Sequence, residues 1–355
     1  MAPGDALGDV LHLLAHAIRA TGDEAERTDK LEQRFTRVVM RAWREHWPAQ
    51  RDRIVAVGDL VVPSAAEMQR ALYEVGVSFA DWFSDEDELV VSRVTARAFD
   101  LGRVTAVEEA VAAGAAPPDM SRRSAKREVG DDDFVSLWEL ELTGALDVVD
   151  ERAAKALSKQ SLFWVRDVWS EGLGKSIADQ AMAVITAGDS RETVAKRLKA
   201  ALKDFDEPVD YWRLVASSAV VRARSLGAVS GMRRARTETL RFVAVGGSEG
   251  DGKTSDICKS MHGTVFTMAQ VSEWESRVLG ATTPGELKAA TPWVSAAQAE
   301  GKSPAQLARD GVVAPPLHGH CRSRLVAETF ESFESIGDAI DAGTFVSEFS
   351  DLDGV

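Results

Sequence analysis

Arg241-Phe-Val-Ala-Val-Gly-Gly-Ser-Glu-Gly-Asp-Gly252 is the point at which the sequence changes character. Upstream, apolar residues recur at steps of three and four, the period of amphipathic helices. Here Arg241–Val245 reads as a strand, and the glycine-rich run after it as a flexible turn. Thr264-Val-Phe266 reads as a second short strand and Cys321–Val326 as a third. In that third strand Cys321, Ser323 and Leu325 would share one side, and Arg322 and Arg324 the other. The expected fold is mostly α: N-terminal and central helical regions, followed by a small α+β C-terminal module with a short antiparallel sheet.

Working outward, Ser64-Ala-Ala-Glu67 after Pro63 has the form of a capping box. Met68, Leu72, Val75, Phe79 and Trp82 continue it as one apolar helix face, and Leu31, Phe35, Val38 and Ala42 make another. Ser84, followed by Asp85, Glu86 and Asp87, predicts a helix start with acids at the favourable end of the dipole, running to about Val111. Residues 113–133 lose apolar periodicity and read as a linker between residues 1–112 and a central helical region, 134–239. A helix stop at Gly188 and a new start at Asp189-Ser-Arg-Glu192 fall within that region. Trp138, Trp164, Trp169 and Trp212 are expected in its core. The C-terminal module spans 240–328 and includes a partly helical insertion, 267–312. An acidic tail, 329–355, follows, read either as a frayed end or as a docking peptide whose phenylalanines bury in a partner.

Composition narrows the function classes. The 355 residues are 45% hydrophobic and 28% charged, with a formal net charge of −14. That is the profile of a globular chain and argues against one that simply coats nucleic acid. Two cysteines make no disulfide scaffold. The N-terminus lacks a basic signal-peptide region, and no apolar run reaches the ~18–20 residues a membrane span needs, so a reducing cytosol is expected.

The rare metal-binding side chains are concentrated in two places. The chain has six histidines and two cysteines. One cysteine and one histidine lie in Cys258-Lys-Ser-Met-His262; the other cysteine and two more histidines lie in Pro315-Pro-Leu-His-Gly-His-Cys321. Zinc takes four ligands drawn from thiolate, imidazole and carboxylate, so Cys258, His262, His318 and Cys321 form a candidate set, with His320 or Asp256 as a substitute fourth ligand. The prolines stiffen the approach to His318, and Leu317 can plug into the core. Three other arrangements use the same residues. They could be hydrogen-bonded core groups without metal, a Cys258–Cys321 disulfide, or a catalytic cysteine paired with His318 or His320.

Two further features carry charge. Residues 211–245 hold seven arginines and one acid, Glu238. On an unbroken helix Arg222, Arg233 and Arg236 would fall near one face and could contact DNA phosphate or an acidic protein, although Gly227 and Gly231 weaken that helix. The alternative is a solvated face paired with acids elsewhere. Gly247–Thr254 matches the phosphate-loop pattern GxxxxGK[ST], but at most about two helical turns can follow before Gly263, and Glu249 and Asp251 would repel phosphate. A glycine-rich turn is therefore expected rather than a nucleotide site.

Lys253-Thr-Ser-Asp-Ile-Cys-Lys-Ser-Met-His-Gly-Thr-Val-Phe266, paired with Pro315-Pro-Leu-His-Gly-His-Cys-Arg-Ser323, resembles the signature of the phage Mu F-like head morphogenesis family. The resemblance covers about residues 205–328. Ser255 stands where many members carry a first cysteine, and the insertion 267–312 is long for the family. The resemblance implies a minor head protein, not an enzyme, acting in head assembly and in DNA packaging or ejection. Its partners would be the portal protein and the inner capsid or scaffold, with DNA contact and no small-molecule substrate. Its place would be the host cytoplasm during assembly and then the particle interior near the portal vertex. The alternative is a zinc-dependent nuclease or hydrolase in which Cys258, His318 and Cys321 leave a fourth position to water, with His320 or Asp256 nearby.

Overall fold

The computed structural model describes residues 3–58, 82–112, 148–166, 179, 183, 191–205 and 208–328. The expected capping box at Ser64 and helix through Met68–Phe79, the linker 113–133, Trp138, Trp169, the stop at Gly188 and the acidic tail lie outside the described residues, as does the Trp164 side chain. The architecture is mostly helical, with a small antiparallel sheet near the C-terminus. No described helix is long and apolar enough to cross a membrane.

The helical part comprises α1 (Pro3–Gly58), α2 (Asp85–Ala112), α3 (Val148–Arg166), α4 (Arg191–Ala201, continued by a 3-10 turn, Leu202–Phe205) and α5 (Val209–Arg234). Helix α2 starts where its acids predict. The Asp87 amide donates to the Ser84 hydroxyl, while the Ser84 amide donates back to the Asp87 carboxylate at 3.1 Å. Helix α5 is the axis of the molecule: it is buried along most of its length, and α1, α2 and α3 all pack on it.

Helices α2 and α5 approach until their backbones touch, and glycine allows it. A Cβ on Gly227 would stand 1.8 Å from the Phe99 carbonyl oxygen; one on Gly102 would stand 2.0 Å from that of Arg224; and one on Gly231 would stand 2.3 Å from that of Arg103. Gly227 and Gly231 therefore do not break α5, as their flexibility alone suggests. They form a flat stripe onto which α2 is laid, and the packing outweighs their poor helix propensity. The expected linker thus separates two helical regions that share one hydrophobic core.

Near the start of α5 the packing is aromatic. Trp43 and Trp47 stack with ring centroids 4.7 Å apart, and the Trp43 indole donates to the Phe205 carbonyl at 2.8 Å. Trp212 is also buried.

Helix α5 ends at Arg234; two residues on, Arg236, whose φ of 56° turns the chain, lets the Thr237 amide close back on the Met232 carbonyl at 3.0 Å. Strand β1 (Thr239–Val243) follows at once, two residues earlier than predicted. It is the central strand, flanked by β2 (Val265–Thr267) and β3 (Arg324–Glu328), both antiparallel, with Leu240 opposite Phe266 and Ala327. Between β1 and β2 lies α6 (Asp256–Met261). The insertion forms α7 (Met268–Gly280), α8 (Pro284–Ala290), α9 (Ala296–Ala299) and α10 (Pro304–Arg309). Each opens with a reciprocal capping box, on Thr267, Thr283, Ser295 and Ser303, which supplies orphan amides that such short helices could not satisfy internally. β3 begins three residues after Cys321, yet the predicted alternation holds through the approach. Cys321, Ser323 and Leu325 are buried, whereas Arg322 is exposed and Arg324 half-buried.

Candidate metal centre

Ser255 caps α6, its hydroxyl accepting the Cys258 amide at 3.4 Å, which sets Cys258 one turn in and facing the core. Opposite it, a turn beginning at the cis Pro315–Pro316 bond carries His318 and Cys321. Leu317 is buried beneath that turn, as its position predicts. Gly319 lies flat on Leu214 of α5: a Cβ there would meet Leu214 Cδ1 at 2.0 Å. The His-Gly-His-Cys turn is thereby anchored on the helical core and directed at α6.

Three predicted ligands converge. Cys258 Sγ is 3.2 Å from His318 Nε2 and 3.7 Å from Cys321 Sγ, and all three ligand atoms lie within 4.8 Å of one another. His318 Nδ1 is 2.5 Å from the Gly319 carbonyl, which orients the ring with Nε2 inward. Two thiolates each about 2.3 Å from a tetrahedral zinc stand roughly 3.8 Å apart, so the sulfur separation found here fits a shared metal. It is much longer than the ~2.05 Å of a disulfide, and both cysteines are free.

The electrostatics are those of a site sharing protons. The Cys258 thiol is pushed up, first by its hydrogen bond to Cys321 and then by burial. Cys321 is held well below the usual thiol range by that same bond, assisted by His318. His318 is raised by its interaction with Cys321. The two sulfurs thus compete for one proton, and the Ser255 and Ser323 hydroxyls act on Cys258 in the opposite sense to Cys321, favouring its charged form. A soft divalent cation would replace the shared proton.

The fourth predicted ligand does not join them. His262 Nδ1 accepts the Ala244 amide at 3.2 Å, so the ring holds the end of β1 to the α6–β2 turn instead. A histidine at helical spacing from Cys258 would share its face only if α6 continued. The helix ends at Met261, and His262, with ψ of 132°, has already left it. Asp256 is exposed and pairs with Lys259, and His320 faces a groove on the far side of its turn. Among the described residues the cluster therefore offers three ligands. Ser323 is buried on the same side as Cys321, as the alternation of the strand predicts.

The arginine face is also corrected. Arg222 is 3% exposed, and burial pushes its guanidinium down to about 10. Arg233 bonds Glu275 and Ser272 on α7. Arg236 is exposed but lies beyond the helix end. The three do not form one exposed helix face: Arg222 is buried, Arg233 is paired on α7, and Arg236 lies past the helix end.

The GxxxxGK[ST] run is a closed turn. Asp251 takes a two-pronged hydrogen bond from Arg322 at 2.7 and 2.8 Å and a third from the Thr254 hydroxyl at 2.9 Å. Arg322 holds that carboxyl far below its usual range. An internal carboxylate thus occupies the loop where a nucleotide phosphate would need to sit, and the loop is tied to the metal-site turn. The six residues of α6 make too short a helix for a phosphate loop.

The chain matches no protein-family model, no curated protein and no solved structure. The resemblance named above stands on the two motifs alone.

Proposed function

We propose that this chain is a minor head protein of the Mu F-like type, associated with the portal vertex of a tailed phage or prophage-like particle. In this role Cys258, His318 and Cys321 bind zinc as a structural clip. The observation that carries it is the meeting of the two halves of the motif: residues sixty apart in sequence place Cys258 Sγ and His318 Nε2 at 3.2 Å. A sheet of one three-residue and two five-residue strands is small for independent stability, and a cross-link between α6 and the start of β3 compensates. Zinc would add a charge-neutralising bond between those segments; Cys258, His318 and Cys321 would hold it. On this proposal the protein assembles in the host cytoplasm against portal and inner capsid protein, remains inside the particle, and is not an enzyme. Two of three ligands are thiolates, the pattern of structural sites, and no carboxylate joins the cluster among the described residues to act as a base.

The test is co-purification. Tagged protein from particle-producing cells should bring down portal protein, and metal analysis under reducing conditions should find about one zinc per chain. Recovery of the tagged chain free of portal and capsid protein would remove the assignment. Nicking of plasmid DNA by pure protein, abolished by zinc removal, would replace it with the hydrolase.

A further inference from the structure

A different cluster lies beyond the His318–Cys321 turn, and it does not depend on the head-protein assignment. Helices α1 and α5 run antiparallel. Glu24 meets Arg224 at one end, and Trp43 reaches Phe205, just before α5, at the other. Between these points a groove of about 610 Å³ opens, within the range of small-molecule sites. Helix α1 contributes Asp29, Gln33, Arg37 and Arg44; α5 contributes Arg213; and His320 closes the rim.

The charge distribution is unusual for a chain of net charge −14. Three guanidiniums line the groove, with Arg37 and Arg213 on opposite walls. Arg213 is held only loosely, by the exposed Asp210 at 3.8 Å, and no carboxylate among the described residues bonds Arg37. Of the two acids in the groove, Asp29 accepts a hydrogen bond from Gln33 at 2.7 Å. Glu32 is raised to about 7, chiefly by burial, so near neutral pH it is only partly ionised. Like charges facing one another across a partly enclosed space repel, and an anion placed between them relieves the repulsion. Guanidinium forks match phosphate and carboxylate oxygens bidentately.

His320 is held at this rim by a costly conformation. Its φ of 55° is in the left-handed region, where a residue with a side chain is uncommon, and the adjacent Gly319 is pressed onto Leu214, the neighbour of Arg213. The turn that sets the metal cluster on one side thus sets an imidazole beside the arginines on the other. Asp29, Gln33 and Thr36, which also line the groove, offer hydrogen-bonding groups suited to hydroxyls.

We propose that the α1–α5 groove binds a small hydroxylated molecule bearing a multiply charged oxyanion, a phosphate ester or a polycarboxylate, through Arg37, Arg213 and His320. Full-length protein would be titrated calorimetrically with pyrophosphate and, separately, with citrate at constant ionic strength. Saturable binding to one site is expected. Arg37→Ala and Arg213→Ala should each weaken it at least about tenfold, the loss of a charge-assisted contact, and the double variant should weaken it further. Both side chains are exposed, so the unliganded thermal midpoint should not move. Tighter binding of pyrophosphate supports a phosphate ester, and tighter binding of citrate a polycarboxylate. Absence of saturable binding to either, or binding undiminished in the double variant, overturns the site. Binding of a single-stranded oligonucleotide that pyrophosphate does not displace also overturns it, in favour of a polyanion track.

Discussion

The α2–α5 crossing and the C-terminal module hold together by opposite means. In the crossing, backbones meet through Gly102, Gly227 and Gly231, and the contact is continuous close packing that also encloses the Arg103–Asp100 pair. In the module, short elements are joined at points: a Cys/His cluster, a bidentate Asp251–Arg322 pair, four capping boxes and an Arg241–Glu328 ion pair across the sheet. Close packing has no tolerance for an added atom but is insensitive to solution conditions. Point contacts tolerate surface change yet respond to metal, redox state and pH. The two regions should therefore fail under different insults.

The sharpest break is expected at the crossing. Gly227→Val drives a side chain into the Phe99 carbonyl and should cost about 4 kcal/mol or more, measured as a lost or strongly shifted urea transition. Next comes the cluster. Cys321→Ser should abolish zinc binding and destabilise the module by roughly 3 kcal/mol, with amide exchange rising in α6 and β3 before α5. Equal loss of protection in both regions would show that the module has no separate stability.

A smaller effect is expected at the seam between the two. Arg324 bonds Glu109 and lies 3.7 Å from Glu24, which also faces Arg224 at 3.5 Å. Arg324→Met leaves two neighbouring acids with one arginine. It should cost about 2 kcal/mol, discounted because Arg324 is partly exposed, as read from chemical unfolding at neutral pH.

Glu32 supplies the pH arm of the comparison. Its folded value, raised from 4.5 to about 7 by burial, means that the native state binds more protons between those limits. Stability should thus fall as pH rises through that window, and Glu32→Gln should flatten the dependence. The gain above pH 7 should be on the order of 1–2 kcal/mol after allowance for partial exposure. The smallest effect is a control. A methyl group added at Gly285 would meet nothing within 4 Å, and the residue lies in the first turn of α8. Gly285→Ala should therefore be neutral or stabilising by about 0.5 kcal/mol in thermal unfolding.

Periodicity alone made the helical part and the place of the sheet legible, because burying one face imposes a spacing that neighbours in sequence must obey. The inward set Cys321, Ser323 and Leu325 was readable for the same reason, even though ladder pairing starts only at Arg324. The convergence of Cys258 with His318 and Cys321 was legible as a set of rare side chains, whereas its membership was not. Whether His262 joined depended on α6 stopping at Met261, a local termination that spacing does not encode. The glycines of α5 were misjudged because their flexibility is a property of the residue, while their use is a property of α2, more than a hundred residues away. Arg222 was misplaced likewise: a charge suggests solvent until the helix carrying it proves to be enclosed.

The seam at Glu24 also bears on biosynthesis. Its two arginines enter the chain two hundred and three hundred residues after it, so a nascent polypeptide on the ribosome carries the acid long before either counter-ion exists. The N-terminal helix lacks the full set of ion pairs at this seat until Arg324 has been synthesised. A chaperone guarding that interval, or a stalled chain lacking β3, would meet a surface that the finished protein never shows.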